Sequence, residues 1–434
     1  PVFRASAAVD ERDVGEQPAG GEKSNKDVAI SGSLNLVFFR HATQAGIGGG
    51  AVVQSAGALD VRATSQLIPG WNGHQQFYTT LHDLDWKSAD AVTGLGEAVV
   101  DFLKSSFSGN TWVQNAVESE RLSLSGAATW FDLDHRAEAR IGAAQINPGS
   151  GAAGAGQDVR VAASASHGLL HLAGVPEFDG SFLGGNAGSG KVGVGISYLQ
   201  VVQDGSAQAV VAPGASIRAD DLAVAARTRF DQVSITENAG KAGKVSVNGG
   251  FSVHMGETST QARLSAGSTV DAGQLLVLAD DDSLLVTIAV GVARGGSVGI
   301  GASAAVNEAV RETRAIVGNG SSLVGPAAPG GGTLAVRGNL AVQARSAGTE
   351  GAFALAGSGP DGGKTESAGS ATGGDGNRKA GSDSGSQGKS GIGISAAVAI
   401  NNIDDHTEAR LLQADRIEDI DLPGRQRVIE TVVA

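Results

Sequence analysis

Along Ser297–Val317, SVGIGASAAVNEAVRETRAIV, the apolar Val298 and Ile300 alternate with Gly299, Gly301 and Ser303. Period-two alternation predicts a strand whose two sides meet different surroundings. A polar turn is expected over Asn307–Arg314, then a second apolar segment, Ala315-Ile316-Val317. The pattern recurs five more times. With Ala45, Ala139, Ala209, Ala262, Ala315 and Ala409 as anchors, the residue seventeen places earlier is Val28, Leu122, Val192, Val245, Val298 or Ile392. Fifteen places earlier stand Ile30, Leu124, Val194, Val247, Ile300 and Ile394; two places after the anchors stand Ile47, Ile141, Val211, Leu264, Val317 and Leu411. The anchors lie 94, 70, 53, 53 and 94 residues apart, as a 53-residue unit with insertions requires.

The third and fourth copies stay parallel beyond the anchor. Ile217, Leu222 and Val224 match Val270, Leu275 and Val277, with Gly214 and Gly267 at the turn. About four short strands per unit, joined by Gly, Asn and Asp, suggest two coils of roughly 25 residues in each unit. No helical pattern intervenes, so the expected fold is all-β: a right-handed parallel β-helix, or solenoid, with a small partly helical insertion.

Three regions break the repeat. Residues 1–27 are polar and read as the end of a preceding unit, giving a first segment 1–64. Residues 65–120 hold Trp71, Phe77, Tyr78, Trp86, Phe102, Phe107 and Trp112, seven of the 18 aromatics. Within this insertion Ser88 is placed to N-cap a helix carrying Val92, Leu95, Val99 and Phe102 on one face. Repeats resume over 121–356. A Gly/Ser-rich tract at 357–391 reads as a disordered loop, and 392–434 as the last repeat.

Composition narrows the class. The chain of 434 residues has 66 Gly and only 4% aromatics, so its core must come from closely approaching backbones with thin aliphatic layers. A net charge of −13 argues against nucleic acid as a partner. The absence of Cys removes disulfides, zinc–thiolate sites and a cysteine nucleophile. No apolar run is long enough for a transmembrane helix, and no targeting signal is present, as expected of an internal fragment of a larger protein.

VGIGASAAVNEAVRETRAIVGNGSSL (298–323) and IGISAAVAINNIDDHTEARL (392–411) resemble repeats of large secreted exoproteins of Gram-negative bacteria, the filamentous-haemagglutinin-like and leukotoxin-type filamentous adhesins. The shared form is a Gly/Ala/Val strand, an Asn-containing turn, then Thr-x-Ala and an aliphatic pair. The likeness covers most of 190–434 and, more loosely, 27–64 and 121–165. It implies a β-helical filament on the bacterial surface, delivered by an outer-membrane secretion partner. The family's amino-terminal Asn-Pro-Asn motif is absent; Asn147-Pro148-Gly149 does not match it.

Candidate chemistry is sparse. Five residues before the anchors stand Asp134, Asp204, Glu257 and Asp404, a column able in principle to bind calcium or cleave glycosides. Turn capping is the plainer reading, and with two coils per unit successive acids would sit roughly 10 Å apart. His41 and His135 share a repeat position, with His406 one place later, and read as solvated turn residues. Asp280-Asp281-Asp282 matches Arg227 and Arg229 of the preceding copy, which suggests a cross-rung salt bridge on a solvated corner. No phosphate loop or calcium nonapeptide is formed, and no catalytic residue, metal site or cofactor is expected. The candidate ligand-binding residues are Trp71, Tyr78, Trp86 and Trp112, because exposed aromatics stack on sugars or anchor protein partners; the plainer reading is a small packed subdomain in which those aromatics form their own core.

These features favour a non-enzymatic shaft and adhesive segment of a secreted or cell-surface protein. Its expected partner is a host-cell receptor, a glycan or a biofilm matrix polysaccharide. A β-helical polysaccharide lyase or hydrolase is the alternative, and the stalk of a secreted toxin or contact-dependent effector system is another.

Overall fold

The computed structural model describes residues 2–5, 28–67, 121–174, 191–318, 332–360, 371–372, 391–411, 416–418 and 427–433. The principal strands are β1 (Val28–Ile47), β2 (Leu59–Leu67), β3 (Leu122–Ile141), β4 (Val159–Gly174), β5 (Val192–Val211) and β6 (Ser216–Ala242). They continue with β7 (Val245–Ser265), β8 (Thr269–Gly295), β9 (Val298–Gly318), β10 (Leu340–Pro360) and β11 (Ile392–Leu411). The described residues contain no helix.

The chain alternates between two sheets. Six strands form one, in the order β11-β9-β7-β5-β3-β1. The other contains β2, β4, β6, β8 and β10 with shorter strands at its margins. Neighbouring long strands are parallel and in register: Val245 pairs with Val298 and with Val192, and Leu275 with Leu222. This register corrects the expected 25-residue coil. One 53-residue unit makes a single circuit, crossing each sheet once as one long strand, and the polar stretch Asn307–Arg314 continues strand β9 instead of turning.

The circuit turns where the sequence places glycine. Gly50, Gly214 and Gly267 adopt φ of 78°, 78° and 75°, left-handed conformations that cost glycine least. Gly214 N donates to Gly267 O at 3.0 Å, so successive turns stack as the strands do. The Gly/Ser-rich tract starts later than its composition suggests: residues 357–360 complete β10, and Ala371–Thr372 pair antiparallel with Ala354 and Phe353. The predicted helix after Ser88 lies outside the described residues.

The interior is divided along the strands. Towards the carboxyl ends of the six-stranded sheet, Ala139, Ile141, Ala209, Val211, Ala262 and Leu264 pack on Ile217, Leu222, Val224, Val270 and Val277 of the other sheet. Full burial of one such Val, Leu or Ile contributes about 1.5–3 kcal/mol. Towards the amino ends this arrangement inverts. Gly299, Gly301, Ser303 and Ala305 face inward, while Val298 and Ile300 face out. The reason is the closeness of the two backbones. A Cβ on Gly250 would lie 2.2 Å from the Val290 carbonyl oxygen, and one on Gly291 would lie 1.9 Å from that of Ala302. In the later circuits an alanine layer lies between the sheets, Ala289, Ala305, Ala352 and Ala354, whereas Phe131, Leu169, Leu199 and Val201 pack together in the earlier ones.

Candidate functional site

Three features emerge from this frame: an ordered surface column of charge, a polar seam between the sheets, and an apolar outer face.

The acidic column stands on directly adjacent strands. Asp134 pairs with Asp204 and Asp204 with Glu257, so neighbouring carboxylates are one strand spacing apart, about 4.8 Å, not the expected 10 Å. Val310 interrupts the column before Asp404. Arg136 holds its first two members together, with Nε 2.6 Å from Asp134 and a terminal nitrogen 2.7 Å from Asp204. Among the described residues no group of His, Asp or Glu is arranged to hold a metal ion. The expected cross-strand pair forms too: Arg227 lies 3.0 Å from Asp280.

The residues four places before the anchors are His41, His135, Gly205, Thr258, Arg311 and Asp405, and they form the seam. Sequence reading treats the histidines as solvated turn residues; both lie in strands and point toward the second sheet, His41 exposed as expected and His135 not. His135 is buried, and Ser65 Oγ lies 2.7 Å from His41 Nδ1. Gly205 leaves space that the Phe230 ring fills: a Cβ there would lie 2.2 Å from that ring. Phe230 in turn stacks on His167 at 4.4 Å between centroids.

Deeper histidines are fixed by one amide. Gln232 Oε1 lies 2.6 Å from His254 Nε2, and Gln232 Nε2 lies 2.8 Å from His167 Nε2. The amide oxygen can only accept, so His254 carries its proton on Nε2; the amide nitrogen donates, so His167 presents a bare Nε2. The accepting Nε2 makes His167 neutral, while burial keeps His254 neutral. Burial pushes His254 and His171 down to about 3 and holds His167 well below the usual range, with neighbouring histidines adding repulsion at His167 and His171.

At the far end the seam becomes ionic. Asp281, expected on a solvated corner, is fully buried and accepts hydrogen bonds from Thr228 at 2.9 Å and Ser283 at 2.7 Å. Arg311 reaches Asp405 at 2.9 Å and Glu350 at 3.4 Å, with side chains only 8%, 11% and 4% exposed. Ser346 donates to Asp405 at 2.6 Å. Two carboxyl groups thus share one guanidinium, and Asp281 lies near enough to feel its charge. Burial is the main cause raising Glu350 to about 7; Arg311 opposes the shift, and Asp281 and Asp405 reinforce it. Strand parity was the signal for this seam: Arg311 lies an even number of residues from the inward Ser303 and Asn307.

On the outer face of the six-stranded sheet, Ile30, Leu34, Ile196 and Ile394 are 50–70% exposed. Trp130 also emerges there, and Leu34, Gly126, Ala128, Ile196 and Tyr198 border a shallow depression. The sequence-predicted ligand residues Trp71, Tyr78, Trp86 and Trp112 lie outside the described residues. No family model, curated protein or solved structure matches the chain.

Proposed function

We propose that this chain is a length of right-handed parallel β-helix serving as the structural shaft and adhesive segment of a large secreted bacterial surface protein, without catalysis. The observation that carries this reading is the 53-residue register, which sets like residues on like over successive strands. Such a stack grows by adding circuits, and its backbone hydrogen bonds run along the axis of growth. Stretching it along that axis means pulling a whole strand away from its neighbour. The surface acids support the same reading, since Asp134, Asp204 and Asp280 are engaged by arginines as structural ion pairs.

In this proposal the shaft presents the aromatic insertion, with Trp71, Tyr78, Trp86 and Trp112, to a host-cell receptor, a glycan or a matrix polysaccharide. The test is binding of the whole chain to host cells and a glycan panel, beside a version lacking residues 68–118. Binding lost with the deletion supports an adhesive insertion on a structural shaft. Turnover of a polysaccharide by the intact chain would replace the proposal with the lyase or hydrolase reading.

A further inference from the structure

We propose that the outer face of the six-stranded sheet is a self-association surface, on which a second copy of this chain packs face to face with its strands running the opposite way. The inference goes beyond the adhesive reading and does not depend on it: the chain can pair whether or not it binds a glycan.

The first five outward positions of each strand form the face. Across all six strands they carry no charge, and Gln200 is the only side chain among them that is not apolar or Tyr. Even these two polar groups are mutually satisfied, Tyr198 Oη donating to Gln200 Oε1 at 2.6 Å. Six strands spaced about 4.8 Å apart, each contributing roughly ten residues at about 3.3 Å, cover on the order of 900 Å². A stable interface needs about 800 Å² from each partner. An exposed apolar patch of this extent exceeds what an isolated soluble surface ordinarily carries. Its Val, Ile and Leu ridges repeat with the strand spacing, so an identical face offers matching grooves, as when two sheets pack about 10 Å apart.

Charge on the two borders selects the partner and its orientation. Immediately before the strands stand Arg121, Lys191 and Lys244, stacked by backbone bonds from Lys244 N to Lys191 O and from Val192 N to Arg121 O. Thirteen residues after each stand Asp134, Asp204 and Glu257 on the opposite border. Arg136 neutralises only part of that acidic border, because it serves Asp134 and Asp204 together. A two-fold axis parallel to the direction of strand stacking reverses the strands across the interface. It lays Lys191 of one copy near Asp204 of the other, and Lys244 near Glu257, with Tyr198 and Phe251 close to the axis. The alternative two-fold, along the strands, would set each border against its own sign. An anionic lipid surface fits less well, because such surfaces select faces rimmed with Lys and Arg, whereas Asp134, Asp204, Glu257 and Asp404 make four of the six positions on one border acidic.

Sedimentation of the 434-residue chain tests the proposal. A dimer is expected at about 50 µM or below, and Ile196→Lys/Val247→Lys should be monomeric with an unchanged far-UV spectrum. Should that variant fail to fold, Val194→Ser/Ile300→Ser substitutes for it and should weaken the dimer. Lys244→Glu should weaken association roughly tenfold, the small cost of a surface pair being counted twice by symmetry, and adding Glu257→Lys should restore it. A wild-type chain that stays monomeric, or a dimer indifferent to the lysine substitutions, overturns the proposal. So does a monomer that floats with phosphatidylcholine/phosphatidylglycerol vesicles. Failure of Glu257→Lys to restore association overturns the antiparallel orientation.

Discussion

Acid should dismantle this protein through its buried histidines, and His254 allows the effect to be isolated. His254 and His171 are held at about 3 by burial, against 6.5 in an exposed chain. Between those values the unfolded chain binds a proton that the folded chain refuses, so each histidine contributes full stability above pH 6.5 and loses it as the pH falls. The loss is about 1.4 kcal/mol per pH unit for each group, or roughly 2 kcal/mol each at pH 5. Together they remove about 4 kcal/mol there, a large fraction of a typical domain's stability. Glu350 opposes this over part of the range, because its raised value of about 7 favours the folded chain as the pH drops towards 4.5. The perturbation is His254→Gln, which keeps an amide donor for Gln232 Oε1 and removes one titrating group. Urea unfolding followed by far-UV circular dichroism from pH 7 to pH 4.5 gives the slope of stability with pH. The variant should start less stable at pH 7 and show a slope shallower by about 1.4 kcal/mol per unit. Equal slopes in the two proteins would refute the assignment of a neutral, proton-refusing His254.

Glu350→Gln mimics the protonated carboxyl, so it should stabilise the chain at pH 8 by up to about 3 kcal/mol and lose that advantage below pH 4.5; urea midpoints at both pH values decide it. Arg311→Met leaves Glu350 and Asp405 buried without their cation and should cost about 3–5 kcal/mol at pH 8, less at pH 5, in the same assay. Gly291→Ala forces a methyl against the Ala302 carbonyl and should cost about 3 kcal/mol or more in thermal unfolding. Gly57→Ala, which meets open space, should stay within about 0.5 kcal/mol of the parent.

The repeat and its parallel in-register stacking are legible in the sequence because they rest on spacing alone. The residues aligned to Val298 and Ile300 are the ones that pair in space. Their direction is less legible. Alternation says that two faces differ, but ordinary hydrophobic burial would place Val298 inside and Gly299 outside. The reverse holds because the backbones approach until a Cβ on Gly301 would lie 2.1 Å from the Gly357 carbonyl oxygen. That distance depends on the partner sheet, which the strand's own sequence does not specify. The circuit length was misread for a related reason. Asn307 and Arg311 look like turn residues, yet Asn307 donates to the Gly351 carbonyl and Arg311 meets two carboxylates, so interior partners satisfy their polarity mid-strand. His135 follows the parity of Ala139 and was placeable inside on that ground; its polarity outweighed its position in the sequence reading.

The account stands on the 53-residue circuit, and a cross-strand disulfide measures it directly. The chain has no cysteine, so Ser259→Cys/Glu312→Cys introduces a single pair at positions opposed in register. Adjacent parallel strands lie about 4.8 Å apart, within the span a disulfide bridges. Mild oxidation followed by peptide mapping should show that pair closed, while Ser259→Cys/Leu284→Cys, half a circuit apart, stays reduced. Closure of the second pair and not the first would restore the 25-residue coil and contradict the arrangement of both sheets.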